Sequence, residues 1–238
     1  MSLYPLHSIL FLDIETVSQY AAFEELPDAG KELWRHKADL LIKDKDTTRP
    51  EGIYDRAAIY AEFGKIVCIS CGYIQGMGPD KKISLKSFYG DDERTILLQF
   101  CEMLEKWTVG NRCLCAHNGK EFDFPYLCRR MIIQGIEIPG LLRIAGKKPW
   151  DIPHIDTLEY WKFGDYRSYT SLSLLAYVLG IPTPKDDIDG SQVGKVYWLE
   201  HDLQRIATYC QKDVITVAQV YLRLQGEVLI KPENIVFR

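Results

Sequence analysis

The alternation of apolar and polar positions divides the chain into segments with the periods of strands and helices. Residues 8–15 form an apolar run that is typical of a buried strand. Over residues 19–62 the pattern becomes helical and charged. Two further apolar runs, residues 65–74 and 82–88, flank a glycine-rich turn. They predict a β-hairpin.

The second half of the chain alternates helical patterns with short strands. The predicted helices cover residues 91–107, 124–134, 171–180 and 199–225, and the predicted strands cover residues 112–118 and 154–161. Strands mixed with helices in this way predict an α/β domain built around one mixed sheet. We expect a single domain over residues 1–238, with a helical insertion at about residues 19–62 that follows the first strand.

Composition is that of a globular protein in a reducing compartment. No segment reaches the roughly 20 uninterrupted apolar residues that span a membrane, and no basic region opens a secretory signal. The seven cysteines are scattered through apolar stretches, which suits reduced thiols and predicts a cytoplasmic protein. The net charge of −4 argues against a surface coated for nonspecific nucleic-acid binding, but it leaves room for a local basic groove.

Two acids interrupt the apolar first strand. Asp13 and Glu15 are two positions apart, so in a strand both side chains project from one face. Burying unpaired charge costs several kcal/mol, and like charges side by side increase that cost. Either the strand prediction is wrong or positive charge gathers at this point.

Further acids stand where a fold of this kind can bring them to the same place. Asp123 lies at a junction between a strand and a helix, and Asp213 lies on the final helix. Tyr209 precedes Asp213 by four residues, so the phenol and the carboxylate share one helix face. Each of these signals is weak alone, because an acid on a helix usually faces solvent.

Taken in order, these residues resemble the motifs of the DEDD (DnaQ-like) superfamily of 3′–5′ exonucleases. Its first motif, D-x-E, is matched by Asp13 and Glu15, with Thr16 following. The second, N-x-x-x-F-D in the branch related to family B DNA polymerases, is matched by Asn118, Phe122 and Asp123. The third, Y-x-x-x-D, is matched by Tyr209 and Asp213. Thr208 stands where the histidine subclass would have its histidine, so the resemblance is to the tyrosine subclass (DEDDy).

The resemblance implies a fold, an activity and a set of site residues. The implied fold is an RNase H-like mixed sheet of about five strands flanked by helices. The implied activity is hydrolysis of phosphodiester bonds at the 3′ end of single-stranded nucleic acid, DNA in preference to RNA. The implied catalytic residues are Asp13, Glu15, Asp123, Tyr209 and Asp213, with the four acids as metal ligands, and the implied substrate contacts are Thr16, Asn118 and Phe122.

Divalent cations that neutralise the converging acids would explain why Asp13 and Glu15 lie in a buried strand. Oxygen ligands alone suit Mg²⁺ or Mn²⁺, and two such ions about 3.5–4 Å apart stabilise the attacking and leaving oxygens of an in-line displacement. Following the family's arrangement, Asp13 bridges both ions, Glu15 and Asp213 complete the first site, and Asp123 supports the second. Tyr209 orients the attacking water, because a phenol with a pKa of about 10 is a poor base.

Other charged segments carry weaker expectations. The basic residues expected beside a single strand are Arg129, Arg130, Arg143, Lys147 and Lys148. The acids Asp186, Asp187 and Asp189 favour a structured loop over a second metal site. Asp156 is expected to brace the site from a neighbouring strand, and His154 is expected to be structural.

Three alternatives remain open. A 3′–5′ exoribonuclease would use the same motifs, since the choice of sugar rests on contact with the 2′-OH. A non-catalytic nucleic-acid-binding module could use the same fold, although such a module would usually have lost an acid. A thiol-based redox protein would need Cys68 and Cys71 exposed, and their apolar surroundings predict that both are buried.

Overall fold

The computed structural model of the protein describes residues 4–43, 47–108, 110–165, 167, 169–182 and 188–238. Within these residues, six strands form one mixed sheet in the order β5-β4-β1-β2-β3-β6. The strands are β1 Ile9–Ser18, β2 Gly64–Gln75, β3 Lys82–Tyr89, β4 Cys113–Ala116, β5 Ile155–Asp156 and β6 Ile235–Phe237. The pairs β1–β2 and β2–β3 are antiparallel, whereas β1–β4, β4–β5 and β3–β6 are parallel.

Helices flank this sheet and fill the connections between its strands. The α-helices are α1 Asp28–Leu41, α2 Glu93–Trp107, α3 Asp123–Ile133, α4 Thr157–Lys162, α5 Leu172–Val178, α6 Val193–Lys195 and α7 Leu203–Leu224. A π-helical segment, Val196–Glu200, continues α6. Short 3₁₀ segments are Leu6–Ser8, Phe23–Glu25, Pro50–Ile59, Gly78–Asp80, Gly140–Leu142, Pro149–Asp151 and Pro232–Asn234.

Alternation along β1 divides the core between the two faces of the sheet. Leu10 and Leu12 pack with α2 and α3 on one face, whereas Ile9 and Phe11 pack with α7 on the other. Because side chains two apart share a face, Asp13 continues the row that faces α7. The long amphipathic helix α7 therefore covers the face from which the first acid projects.

The segment between β1 and β2 has a small apolar core of its own. Trp34 of α1 is fully buried, and its ring meets Tyr54 edge-on with the ring centroids 5.4 Å apart. The Trp34 indole N–H donates to the backbone oxygen of Pro50 at 2.8 Å, which ties α1 to the 3₁₀ segment. The helical character expected for residues 19–62 is thus divided between one α-helix and two 3₁₀ segments.

Most of the predicted elements are confirmed, and three details are corrected. The hairpin, the mixed sheet and the first strand have the predicted places. The predicted strand over 154–161 is wrong beyond Asp156, because that side chain caps α4 by accepting from the backbone N–H groups of Leu158 and Glu159. The final helix begins at Leu203 rather than at residue 199, and β6 adds a sixth strand that the sequence pattern did not indicate.

The cysteines and the helices bear on two broader expectations, a thiol-based redox site and a membrane-spanning segment. Cys68 and Cys71 are buried, as predicted, so the structure gives no support to a redox pair exposed to solvent. Among the residues described here, none of the helices has both the length and the apolar character needed to cross a bilayer.

Candidate active site

The middle of β1 carries the first two acids. Asp13 is partly buried and Glu15 is only 7% exposed. The register of β1 against β2 shifts between Glu15 and Thr16, so the strand bulges immediately after the second acid. Bulges redirect side chains at the edge of functional sites. This one turns the chain directly beside the pair of carboxylates.

A cysteine on α7 completes the tightest cluster around these acids. One carboxylate oxygen of Asp13, one of Glu15 and the Sγ of Cys210 all lie within 4.8 Å of one another. The Cys210 thiol donates to Asp13 Oδ2 at 3.3 Å and to its backbone oxygen at 3.4 Å. Sequence reasoning missed Cys210 because it reads as an apolar core position; its place between Tyr209 and Asp213 is the signal that would have found it.

Asp123 approaches the same place from the opposite side of β1. It is the first residue of α3, as the sequence predicted for a strand–helix junction, and only 3% of it is exposed. The pKa of Asp123 is raised to about 7: burial is the largest cause, the charges of Asp156 and Asp213 also raise it, and backbone hydrogen bonds lower it.

The four acids act on one another electrostatically. Burial raises the pKa of Asp13 well above its ordinary value, and the next largest contributions are repulsion by Asp213 and by Asp123. Burial likewise raises the pKa of Glu15, followed by repulsion from Asp13 and then Asp213. The structure therefore brings together residues from positions 13, 15, 123 and 213, which come from three separate elements.

Tyr209 belongs to this group through its neighbour on α7. Its phenol is hydrogen-bonded with Asp213, one helical turn away. Burial raises the pKa of Tyr209, and Asp213, Glu15 and Asp13 add to the effect in that order. The phenol is thus a neutral hydrogen-bond donor at the edge of the acids.

The donor set fits hard divalent cations. Carboxylate oxygens are the ligands that Mg²⁺ and Mn²⁺ prefer, and their mutual repulsion is relieved by a cation between them. The Cys210 thiol is a softer neighbour that contacts Asp13 rather than adding a further oxygen. We refer below to Asp13, Glu15, Asp123 and Asp213 as the acid cluster.

Asp156 holds the loop that carries the second motif. Its side chain accepts from the backbone N–H groups of Asn118 and Lys120, both at 3.0 Å, while it also caps α4. Asn118 has a left-handed backbone with φ 59°, a conformation that asparagine tolerates better than most residues. The bracing expected of Asp156 is therefore present in the contacts of the loop between β4 and α3.

His154 makes structural contacts, as expected. Its Nδ1 accepts from the backbone N–H of Leu114, and its Nε2 bonds the backbone oxygen of Leu141 at 2.8 Å. Burial lowers the pKa of His154 to about 4, so the ring stays neutral and ties the loop after α3 to β4.

Two of the expected substrate contacts meet at the ring of Tyr126. The Thr16 side chain is hydrogen-bonded to the Tyr126 phenol, which itself donates to the backbone oxygen of Ala58. The Phe122 ring lies 5.4 Å from the Tyr126 ring and packs against the core on the α2 and α3 face. Phe122 is therefore partly a core residue, whereas Thr16 reaches a surface groove.

That groove begins at the end of β1. It has a volume of about 670 Å³ and is lined by Thr16 and Ser18, by residues of the segment between β1 and β2, and by residues 190–199. Its walls carry charges of both signs, positive from Arg56 and Lys195 and negative from Glu24, Glu51 and Asp55, and Trp198 contributes an aromatic ring. Thr16 follows Glu15 directly, so the groove begins one residue beyond the acid cluster, although the residues that line it include none of the four acids.

Among the expected basic contacts, Arg130 is excluded. It is only 2% exposed, and its guanidinium pairs with the Glu93 carboxylate through bonds of 2.8 and 2.5 Å. Arg143 pairs with Glu137 at 2.6 Å, and Arg129, Lys147 and Lys148 are exposed. In the acidic loop, Asp189 accepts from Ser191 in a tight turn, whereas Asp186 and Asp187 lie outside the described residues.

The fold of the chain is similar to that of part of a DNA polymerase. The chain resembles the family B DNA polymerase of the hyperthermophilic archaeon Pyrobaculum calidifontis, with a TM-score of 0.50 and 15% identity over 96% of this chain. The match covers 27% of that polymerase, so the chain spans about a quarter of its length, and the likeness supports the RNase H-like fold. No match is found among curated proteins.

The family itself is identified by a match that covers most of the chain. Residues 59–228 match the family described as "Predicted 3′-5′ exonuclease related to the exonuclease domain of PolB". The matched range holds Asp123, Tyr209 and Asp213, while Asp13 and Glu15 precede it and join the site through β1. The chain belongs to this family of predicted 3′–5′ exonucleases.

Proposed function

We propose that the protein hydrolyses phosphodiester bonds from the 3′ end of single-stranded nucleic acid, DNA in preference to RNA, by a two-metal-ion mechanism. The observation that carries this proposal is the acid cluster, in which carboxylates from β1, α3 and α7 meet, and burial together with repulsion raises the pKa of Asp13, Glu15 and Asp123. A cluster that is costly in isolation becomes favourable once cations bind it.

The acids divide naturally between two positions for Mg²⁺ or Mn²⁺. Asp13, at the centre, would contribute to both, Glu15 and Asp213 to the first, and Asp123 to the second. Such ions supply positive charge to the attacking and leaving oxygens during an in-line displacement at phosphorus. The protein supplies the fixed positions of the carboxylates, because each comes from a regular strand or helix.

Tyr209 would orient the attacking water rather than deprotonate it. Its pKa is raised by burial and by three acids, so it keeps its proton at neutral pH. A phenol that holds its proton donates a hydrogen bond and fixes the direction of a nucleophile. Its hydrogen bond with Asp213 keeps the ring beside the acid cluster.

The groove beside Thr16 would receive the end of the strand. Its volume of about 670 Å³ is within the range of ligand pockets. Trp198 supplies aromatic surface, and Arg56 and Lys195 supply positive charge for contacts with phosphates, while Glu24, Glu51 and Asp55 line the same groove. This assigns a role to the segment between β1 and β2, which forms one wall of the groove.

Two alternatives are less well supported. A non-catalytic binding module would not need the acid cluster, whose burial is costly without cations. An exoribonuclease remains the second candidate, since nothing in the acid cluster distinguishes the two sugars. DNA is preferred because the structural neighbour is a DNA polymerase.

A product ladder tests the proposal. The protein is incubated with 5′-labelled single-stranded DNA, duplex DNA and RNA in Mg²⁺, Mn²⁺ or EDTA, and the products are separated by length. We expect stepwise shortening of single-stranded DNA from the 3′ end, none in EDTA, and slower shortening of RNA. Release of label as a mononucleotide, which indicates the opposite polarity, or cleavage that persists in EDTA would contradict the proposal. An Asp213→Asn protein prepared in parallel controls for a contaminating nuclease.

A further inference from the structure

A second cleft lies on the face of the sheet that is covered by α2. It has a volume of about 310 Å³ and is formed by the second half of β2, by β3 and by the C-terminal half of α2. Leu10 also lines it, and Leu10 belongs to the row of β1 side chains that faces α2. The residues that line this cleft include none of the acid cluster, so the cleft is separate from the candidate active site.

The floor of the cleft is apolar, and its aromatic rings are already engaged. Tyr73, Met103 and Trp107 line it, and the Tyr73 and Trp107 rings lie 5.2 Å apart at an angle of 55°. The Arg112 guanidinium lies 4.5 Å from the Trp107 ring and covers one of its faces. Rings engaged in this way suit contact with an apolar side chain better than the stacking of a nucleic-acid base.

The rim of the cleft is positively charged. Among the residues that the structure describes there, the charged ones are Lys86, Lys106 and Arg238, all of them basic. Lys106 pairs with Glu102 one turn earlier on α2, at 2.6 Å, but both side chains are well exposed. An exposed pair of this kind is weak, so Lys106 can exchange its partner at little cost.

We propose that this cleft docks an acidic peptide segment of a partner protein, one that presents a large apolar side chain next to its carboxylates. The apolar side chain would occupy the floor between Tyr73 and Met103, and the carboxylates would face Lys86, Lys106 and Arg238. Charge complementarity favours this occupant: the rim is basic although the whole chain has a net charge of −4. The inference does not rest on the proposed nuclease activity, because the residues that line the cleft include none of the acid cluster.

Peptide binding tests the inference directly. A short fluorescein-labelled peptide with a run of aspartates followed by a phenylalanine is titrated with the full chain, and its anisotropy is recorded. We expect it to bind at least about tenfold more tightly than matched peptides with asparagine for aspartate or alanine for phenylalanine. The affinity for the acidic peptide should fall as sodium chloride is raised, because the rim charges are exposed.

Charge reversal on the rim locates the binding. Lys86→Glu and Lys106→Glu should each weaken binding of the acidic peptide by roughly five- to tenfold. Lys148→Glu, an equal change of charge at an exposed position outside the cleft, should leave it nearly unchanged. Circular dichroism confirms that the variants are folded. Metal-dependent cleavage by Lys86→Glu should match that of the unchanged protein, which separates this inference from the proposed function.

Several results would overturn the inference. One is failure of the acidic peptide to bind, and another is binding that Lys86→Glu does not weaken. A labelled single-stranded oligonucleotide that binds instead, with the same dependence on Lys86 and Lys106, would assign the cleft to nucleic acid. Self-association measured by sedimentation and lost in Lys86→Glu would assign it to a second copy of the chain.

Discussion

Two regions of this protein bury carboxylates to nearly the same degree but surround them with opposite charges. Glu15 and Asp123 of the acid cluster are 7% and 3% exposed, and Glu93 of α2 is 5% exposed. Glu93 accepts two bonds from Arg130, one from Gln134 at 2.7 Å and one from the backbone N–H of Ile66 at 2.8 Å. Glu15 instead has Asp13 and Asp213 as its main charged neighbours.

The comparison shows that burial alone does not identify a functional acid. Glu93 is neutralised by a residue of the same chain, so its charge serves the fold and ties α2 to α3. Under the proposed function, cations from solution would offset the cost of the acid cluster, so its charge would serve a ligand. Replacing a carboxylate should therefore have opposite consequences in the two regions, and that contrast can be measured.

The largest effect is expected for catalysis in the acid cluster. Asp213→Asn keeps the shape of the side chain but removes a negative metal ligand, so Mg²⁺-dependent cleavage should fall by roughly a thousandfold or more. Initial rates on single-stranded DNA measure it. Glu32→Gln, an acid removed from the exposed surface of α1, should change the rate by less than about twofold. A near-normal rate for Asp213→Asn would refute its assignment as a ligand.

The second effect concerns stability at Glu93. Glu93→Ala leaves the Arg130 guanidinium buried without its partner, which should cost about 3–5 kcal/mol of unfolding free energy. Urea denaturation measures the loss, and Mn²⁺ should not restore it. The matched control is Glu137→Ala, which removes the acid of the exposed pair with Arg143 and should cost less than about 1 kcal/mol. Equal losses of unfolding free energy for the two variants would show that the buried Glu93–Arg130 pair stabilises the protein no more than the exposed Glu137–Arg143 pair.

How far the sequence anticipates these two regions depends on the range of the contacts involved. The period of two along β1 and its apolar neighbours place Asp13 and Glu15 together on one buried face, which is a local property. The separation of four between Tyr209 and Asp213 does the same on α7. The meeting of the three elements followed from the resemblance and not from any local pattern.

The errors have the same origin in long-range contacts. Arg130 was expected in a groove because nothing near it in sequence indicates that Glu93, 37 residues earlier, pairs with it. Cys210 has no local mark of its contact with Asp13, which lies 197 residues away. The strand expected through residue 161 ends at Asp156 because capping of α4 outweighs the pattern, and β6 is too short to show a period.

The third prediction concerns stability at Asp123, where removal of the carboxylate should stabilise the protein, the reverse of the effect expected at Glu93. The pKa of Asp123 is raised from 3.8 to about 7 by burial, so the native state holds this proton more tightly than the unfolded state. Its contribution to stability is complete below about pH 4 and is lost as the pH rises through 7. In EDTA at pH 8, Asp123→Asn should therefore be about 1–3 kcal/mol more stable than the unchanged protein.

Denaturation in EDTA at pH 5 and at pH 8 separates this outcome from a simple packing effect. The gain of Asp123→Asn should be larger at pH 8 than at pH 5, and Mn²⁺ should stabilise the unchanged protein more than the variant. A variant that is less stable at both pH values would mean that hydrogen bonds of the carboxylate outweigh its burial.

A smaller effect is expected at the edge of the acid cluster. Tyr209→Phe removes the phenolic donor but leaves all four acids, so the cleavage rate should fall by about tenfold while Mn²⁺ affinity stays nearly the same. Mn²⁺ titration by electron paramagnetic resonance gives the affinity independently of activity. Loss of activity as complete as that of Asp213→Asn would give Tyr209 a larger role than orientation of the water.

The smallest effect concerns Cys210, the neighbour of Asp13 that sequence reasoning missed. The thiol donates to Asp13 Oδ2 at 3.3 Å and holds that carboxylate beside Glu15. Cys210→Ala removes the donor and should weaken Mn²⁺ binding by about two- to fivefold. Cys210→Ser keeps a donor, so its Mn²⁺ affinity should lie between that of Cys210→Ala and that of the unchanged protein. Cys128→Ala, whose thiol donates to the backbone oxygen of Leu142 away from the acids, is the matched control. Unchanged Mn²⁺ affinity in Cys210→Ala would mean that the thiol only fills space in the core. The acid cluster and the Glu93–Arg130 pair would then differ only in the charges that surround their carboxylates.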